Sequence, residues 1–292
     1  MRVRTIRIVF FLLAGLILPA GDHLISAQTP AGTGQKTIGR DEVFFSIARR
    51  IRQVSESPVS AIVSELDGLV EVNAISADPD GRALVTLRER TPASAAYPVK
   101  STRVRFVPPP AGGKEWTWVE FEENRKFYPI DKLFPYVKDE LGRRRQATVT
   151  RWSALLAAVG KQNDAAIKAA ETIKGVIRVD PPILASLMTL RTALAEAVKE
   201  NEKERILSVY REILQQAEAV TTLSDTYSDL KANDAFLRLI DEYKNSINQT
   251  ATAQKDYVQS IAAYNESLLR LPFTLVAYGL GFTRLEAALS AE

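Results

Sequence analysis

NDAFLRLIDEYKNSINQTATAQKDYVQSIAAYNESLLRL, residues 233–271, repeats large or β-branched side chains at a seven-residue step: Phe236, Tyr243, Thr250, Tyr257, Tyr264 and Leu271. A helix of that length extends about 58 Å at its ordinary rise per residue. Leu237, Ile240, Ile247, Ala251, Val258, Ile261 and Leu268 flank this row, so the apolar face is several positions wide. A two-stranded coiled coil needs a narrower seam, and the pattern therefore predicts a multi-helix bundle. Lys244, Gln254 and Asn265 interrupt the inner row as register-setting polar residues or as points where the face meets water.

Three further stripes precede this helix. The first carries Leu156, Val159, Ala166, Ala170, Ile173 and Ile177, and Pro181-Pro182 is expected to stop it. Leu184, Leu187, Leu190, Leu194 and Val198 form the second, and Ile206, Tyr210, Ile213, Ala217, Val220 and Leu223 the third.

Upstream of residue 150 the period changes. Val43, Phe44, Ile47, Ile51 and Val54 recur at helical spacing behind Asp41, expected as an N-cap, and Val59, Ile62, Val63 and Leu66 suggest a second short helix. Residues 69–77 and 82–88 read as strands around the turn Asp78-Pro79-Asp80-Gly81. Residues 103–107 and 116–121 read as two more strands, around the Pro- and Gly-rich loop 108–113. Asp131 is expected to cap a helix in which Leu133, Phe134, Val137 and Leu141 share one face. The fold class is therefore an α+β N-terminal domain followed by an all-α antiparallel helical bundle.

The chain opens with Arg2, Arg4 and Arg7 ahead of an apolar run, 8–18, then Pro19 and the small residues Ser26 and Ala27. This is the layout of a signal peptide, and a run of about 11 residues is too short to span a bilayer as a helix. Cleavage is expected near Ala27, with an uncleaved anchor as the alternative, which makes the protein exported, periplasmic or envelope-associated. The expected organisation is a signal peptide over 1–27, a linker over 28–40, a small α+β domain over 41–141, a linker over 142–150 and the bundle over 151–292.

Removing the leader's three arginines and Asp22 from the 38 Lys+Arg and 35 Asp+Glu leaves 35 against 34. A nearly neutral chain lacks the electrostatic support that nucleic-acid binding needs. The basic cluster Arg143-Arg144-Arg145 reads as a solvated linker rather than an anion or lipid-headgroup site. The only histidine, His23, lies in the leader, and there is no cysteine. Imidazole- and thiol-based nucleophile systems and structural zinc are thereby excluded from the mature chain, and no cofactor is expected.

Two tracts resemble the signature blocks of the LemA family. Tyr227, Asp229, Leu230, Lys231, Ala232, Asn233, Phe236 and Leu237 match a block like Tyr-Pro-Asp-Leu-Lys-Ala-Asn, with Ser228 in place of proline. Tyr264-Asn265 matches a Tyr-Asn pair in the following helix, and Pro272, Leu275, Val276, Ala277, Gly281 and Phe282 match its ending. The resemblance implies an extended helical bundle associated with the bacterial envelope and no established catalytic site. The chain departs from the family's usual pattern in its leader and added α+β domain. It also lacks an Arg-Arg-x-x-Leu-Ile-Pro-Asn-Leu-Val tract; Val179-Asp180-Pro181-Pro182-Ile183-Leu184 occupies that place.

Other motifs are weaker. Ser228-Asp229-Leu230-Lys231 fits a serine-x-x-lysine pattern without its companion elements. Asp78, Asp80 and Gly81 resemble the start of a calcium loop but read as a hairpin turn. Trp116 and Trp118 share one face of their strand, with Thr117, Val119 and Phe121 on the other, and offer a recognition surface or ordinary packing. After Pro272, the apolar segment containing Gly279, Gly281 and Phe282 is expected to fold back as a cap on the bundle, or else to dock on a membrane or partner.

The expected function is a non-catalytic envelope interaction or scaffold protein, with envelope or membrane-associated proteins as partners. The alternatives are a cell-envelope hydrolase using carboxylates of the N-terminal domain and a self-assembling structural component. Peripheral membrane contact and oligomerisation stay open at this level.

Overall fold

The computed structural model describes residues 37–92, 98–177, 182–226 and 233–286. The leader, most of the linker 28–40 and the signature residues Tyr227, Asp229, Leu230 and Lys231 lie outside them. No described helix is long and apolar enough to cross a membrane.

Helices α1 (Arg40–Arg52) and α2 (Val59–Leu69) lead into a five-stranded antiparallel sheet. Its strands are β1 (Val70–Ala77), β2 (Ala83–Glu89), β3 (Ser101–Val107), β4 (Thr117–Glu123) and β5 (Lys126–Pro129), joined in sequence order. The last strand was not legible in the sequence, because four residues ending in proline carry too little alternation to register. The helical half comprises α3 (Leu133–Ile177), α4 (Pro182–Glu200), α5 (Lys203–Thr226) and α6 (Asp234–Leu269). An antiparallel sheet with helices therefore precedes a helical bundle, as the periodicities require.

Several local expectations are corrected. Residues 142–150, expected as a linker, lie inside the unbroken helix α3. Gly142 is their poorest helix former, and its cost of about 1 kcal/mol is outweighed by packing on either side. Asp41 sits within the first turn of α1, where it favours the helix dipole, while Gly39 is the N-cap residue. Asp131 lies in a short 3-10 turn, residues 130–132, and pairs with Arg50 of α1 instead of capping α3.

Trp116 and Trp118 do not form an open surface, since both are buried in the core. Phe121, expected on the opposite face from Trp118, is buried with it. Val104 pairs with Phe121 and Arg105 with Glu120, but Phe106 pairs with Trp118, which leaves Val119 as the extra residue of a β-bulge. One inserted residue reverses the alternation beyond it, so two side chains three positions apart face the same way. The Trp118 indole N–H is satisfied locally by the Glu120 carbonyl at 2.9 Å.

The sheet's other face is charged. Arg105 pairs with Asp78 at 2.6 Å and with Glu120 at 3.1 Å, and Arg103 holds Glu122 at 2.5 Å. The Arg105 guanidinium also lies 3.7 Å over the Phe127 ring. These pairs account for the 78–81 turn as a hairpin: Asp78 is taken by Arg105, and Asp80 accepts from the Arg82 backbone at 3.2 Å.

In the bundle, α3 and α6 run antiparallel: Arg144 donates to Ser267 and Arg151 to Asp256. Every member of the seven-residue row, from Phe236 to Leu271, is buried. Leu237, in contrast, is 43% exposed, so the packed face is narrower than the apolar pattern. Asn201, at φ 55°, breaks the helical path between α4 and α5.

The sheet half and the bundle share a core. Ile47 and Ile51 of α1, Val85 and Phe106 of the sheet, and Val137 and Leu141 of α3 pack with Leu268, Leu271, Leu275 and Val276. Residues 36–292 accordingly form one compact unit. A buried polar clamp reinforces the join. The Glu89 carboxylate accepts the backbone N–H of Lys100 and of Leu271, each at 2.8 Å, and the Lys100 ammonium donates to the Leu271 carbonyl at 2.6 Å.

Candidate functional site: a cation-rimmed cavity at the tail of the bundle

The polar residue Asn265 organises the region where sequence and structure meet most directly. It interrupts the inner row of α6, and its side chain forms two hydrogen bonds with one residue of the tail. Its amide donates to the Leu285 carbonyl at 2.7 Å and its oxygen accepts the Leu285 N–H at 2.8 Å. One residue earlier, the Tyr264 hydroxyl donates to the Thr283 carbonyl at 3.0 Å. A strand-like ladder is thus formed by side chains, and it lays residues 283–285 along α6.

The chain reaches that position through a reversal after α6. Pro272 precedes a 3-10 turn (Phe273–Leu275), and Gly281 takes φ 79°, a conformation that costs glycine least. A Cβ at Gly279 would lie 2.0 Å from Ile51 Cγ2, so close approach of the tail to α1 requires glycine there. Phe282 is partly buried against the shared core. The expected fold-back cap is therefore present, although it closes over α1, α2 and the sheet as much as over the bundle.

Most described signature residues serve this construction. Asn233 caps α6, accepting the Phe236 N–H at 3.0 Å, and Phe236 fills the distal bundle core. Asn265, Pro272, Gly281 and Phe282 build and hold the reversal. Gln254, another interruption of the inner row, accepts from the Tyr210 hydroxyl at 2.9 Å, and Lys244 is exposed.

By fixing the tail, Asn265 completes one wall of a cavity of about 920 Å³ between α3, the start of α5, α6 and residues 284–286. Its floor is apolar and aromatic: Trp152, Leu207, Tyr257, Ile261 and Leu285. Trp152 and Tyr257 form a tilted ring pair with centroids 5.1 Å apart. Burial raises the hydroxyl pKa of Tyr257, which keeps this floor neutral.

Exposed cations rim the cavity: Arg145 on α3, Lys203 and Arg211 on α5, and Arg284 on the tail. None of the four has an ion-pair partner among the described residues. Glu204 and Glu286 are the acidic side chains of the lining, so the rim carries net positive charge. A second groove, of about 690 Å³, sits between α3 and α6, but its Lys161, Lys168 and Arg238 are balanced by Asp164, Asp241 and Glu242. The cavity is set apart by unbalanced charge over an apolar floor.

The sequence reading missed these four cations. Arg145 reads as part of a solvated linker in the sequence alone, and only the continuity of α3 puts it one and two turns from Thr148 and Trp152. The stripe Lys203, Leu207, Arg211, four residues apart on one face of α5, was the available signal. Arg284 could not be placed without the tail's clamp.

The architecture defines an α+β layer sharing its core with an elongated antiparallel helical bundle, whose terminal segment folds back to close one end. Residues 151–291, the C-terminal helical region, match the model of the LemA family. The match begins inside α3, so the helix that carries the family region also belongs to the α+β core. The LemA family is associated with the cell envelope in general and is not known as an enzyme family. A comparison with curated proteins found no match.

Proposed function

We propose that this protein is exported to the bacterial envelope and acts there as a non-catalytic interaction or scaffold protein, its bundle presenting a binding site for a partner. The cavity carries this reading: an apolar floor bordered by cations that have no ion-pair partner among the described residues is a lining suited to recognition, and its volume lies within the range of ligand-binding clefts. The carboxylates on the open sheet face have a different environment from that of a glycosidase pair. Glu120 is engaged by Arg82 and Arg105, and the Arg103 guanidinium hydrogen-bonded to Glu122 holds its carboxyl below the usual range. A carboxyl so held stays ionised and is unsuited to act as a general acid.

The test is fractionation combined with cross-linking in the native host. The protein is expected in the envelope fraction with an N-terminus near Gln28, joined to a reproducible partner identified by mass spectrometry. Recovery of intact, uncross-linked protein in the cytoplasm would overturn the proposal.

A further inference from the structure

Resting on that binding role, we propose that the cavity between α3, α5, α6 and the tail docks an acidic peptide segment of the partner, with a large apolar side chain set between carboxylates. The argument is one of charge and shape together. Trp152 and Tyr257, both more than nine-tenths buried, pack as a ring pair and give the cavity an aromatic floor for one bulky side chain. Around it, Arg145 on α3, Lys203 and Arg211 on α5, and Arg284 on the tail line the same cavity from three separate segments of chain. Four exposed cations with no partner among the described residues are complementary to a ligand carrying several carboxylates. Lys203 starts α5, so the positive end of that helix dipole adds to the same field.

The acidic rim residues select a peptide over a lipid surface. Glu204 and Glu286 accept the backbone N–H groups that a peptide brings with it, whereas a phosphatidylglycerol headgroup layer offers no amide donors. The apolar residues form a recessed floor rather than the projecting face by which a helix enters a bilayer interface.

The test uses the full mature chain and a fluorescein-labelled peptide, Asp-Glu-Phe-Leu-Glu-Asp, followed by polarisation. Saturable binding is expected, weakening as salt rises and falling about tenfold or more in the Lys203→Glu/Arg211→Glu double variant with an unchanged melting temperature. Trp152→Ala would weaken binding too, and a second variant, Trp152→Phe, keeps the floor and most of the affinity. The basic peptide Lys-Arg-Phe-Leu-Arg-Lys is expected not to bind.

Absence of binding by the acidic peptide, or binding indifferent to the double charge reversal, overturns the proposal. So does sedimentation with phosphatidylglycerol vesicles that depends on the same cations, or binding that appears only once residues 287–292 are removed. A protein that cross-links to an envelope partner yet ignores the acidic peptide loses this assignment while keeping its proposed function.

Discussion

Asn265 shows how a polar residue in an apolar row earns its place: its two hydrogen bonds replace solvent for the backbone N–H and carbonyl of Leu285. Asn265→Leu should cost about 1–3 kcal/mol, since two backbone groups lose their partners. The variant should also lose affinity at the cavity, because Arg284 and Leu285 are no longer held. A variant with native melting temperature and native tail protection in hydrogen exchange would contradict this. Gly279 makes a sharper case, with its α-hydrogen facing Ile51. Gly279→Ala introduces an overlap at 2.0 Å and should destabilise by about 2–3 kcal/mol, whereas Gly279→Ala combined with Ile51→Ala should recover part of the loss in a thermal melt. At the other end of the join, Glu89 is buried with two backbone N–H groups on its oxygens. Glu89→Ala leaves both unsatisfied and should cost about 3 kcal/mol by denaturant titration, with Glu89→Gln milder because one acceptor oxygen remains.

Among the elements, α3 has the largest structural consequence, since one 45-residue helix contributes Leu133, Val137 and Leu141 to the sheet core and Trp152 to the cavity. A helix that serves two cores transmits position between them without a hinge. Trypsin should therefore spare Arg143, Arg144 and Arg145 under native conditions despite their exposure, because cleavage requires local unfolding of that turn. Rapid release of a helical fragment beginning near residue 146 would show that the helix is interrupted. The bulge in β4 illustrates a different rule. Strict alternation put Phe121 opposite Trp118, and one inserted residue put both indoors. No propensity in the segment 116–121 announces the bulge, which arises from fitting β4 to β3 over a packed helical layer.

At the scale of the whole molecule, the bundle's tyrosines connect stability to pH. Burial pushes the Tyr243 hydroxyl up to about 12, with the Gln162 amide alongside pulling the other way, and burial also raises Tyr210, Tyr257 and Tyr264. In the unfolded chain a tyrosine titrates near 10. Below that value Tyr243 is neutral in both states and its contribution is complete; as pH rises from about 10 toward 12 the unfolded chain loses its proton first and stability falls, by ~2–3 kcal/mol for this residue. Denaturant midpoints at pH 8, 10 and 11.5 should decline over the last interval, and Tyr243→Phe should flatten part of the decline; a flat profile to pH 12 would refute the burial argument. The sequence by itself determined the two periodicities, hence helices and strand hairpins before a bundle, along with the buried seven-residue row of α6, four of the five strands and the chain reversal after Pro272. These are local properties, fixed by side-chain spacing and by the dihedrals that proline and glycine permit. Tertiary structure decided the rest: that residues 142–150 continue a helix, that Trp116 and Trp118 are core, that Glu89 and Leu271 meet across the join, and that Arg145, Lys203, Arg211 and Arg284 share one rim. The physical reason is that each of these depends on which distant surfaces are brought together, and burial, unlike periodicity, is a property of the assembled chain.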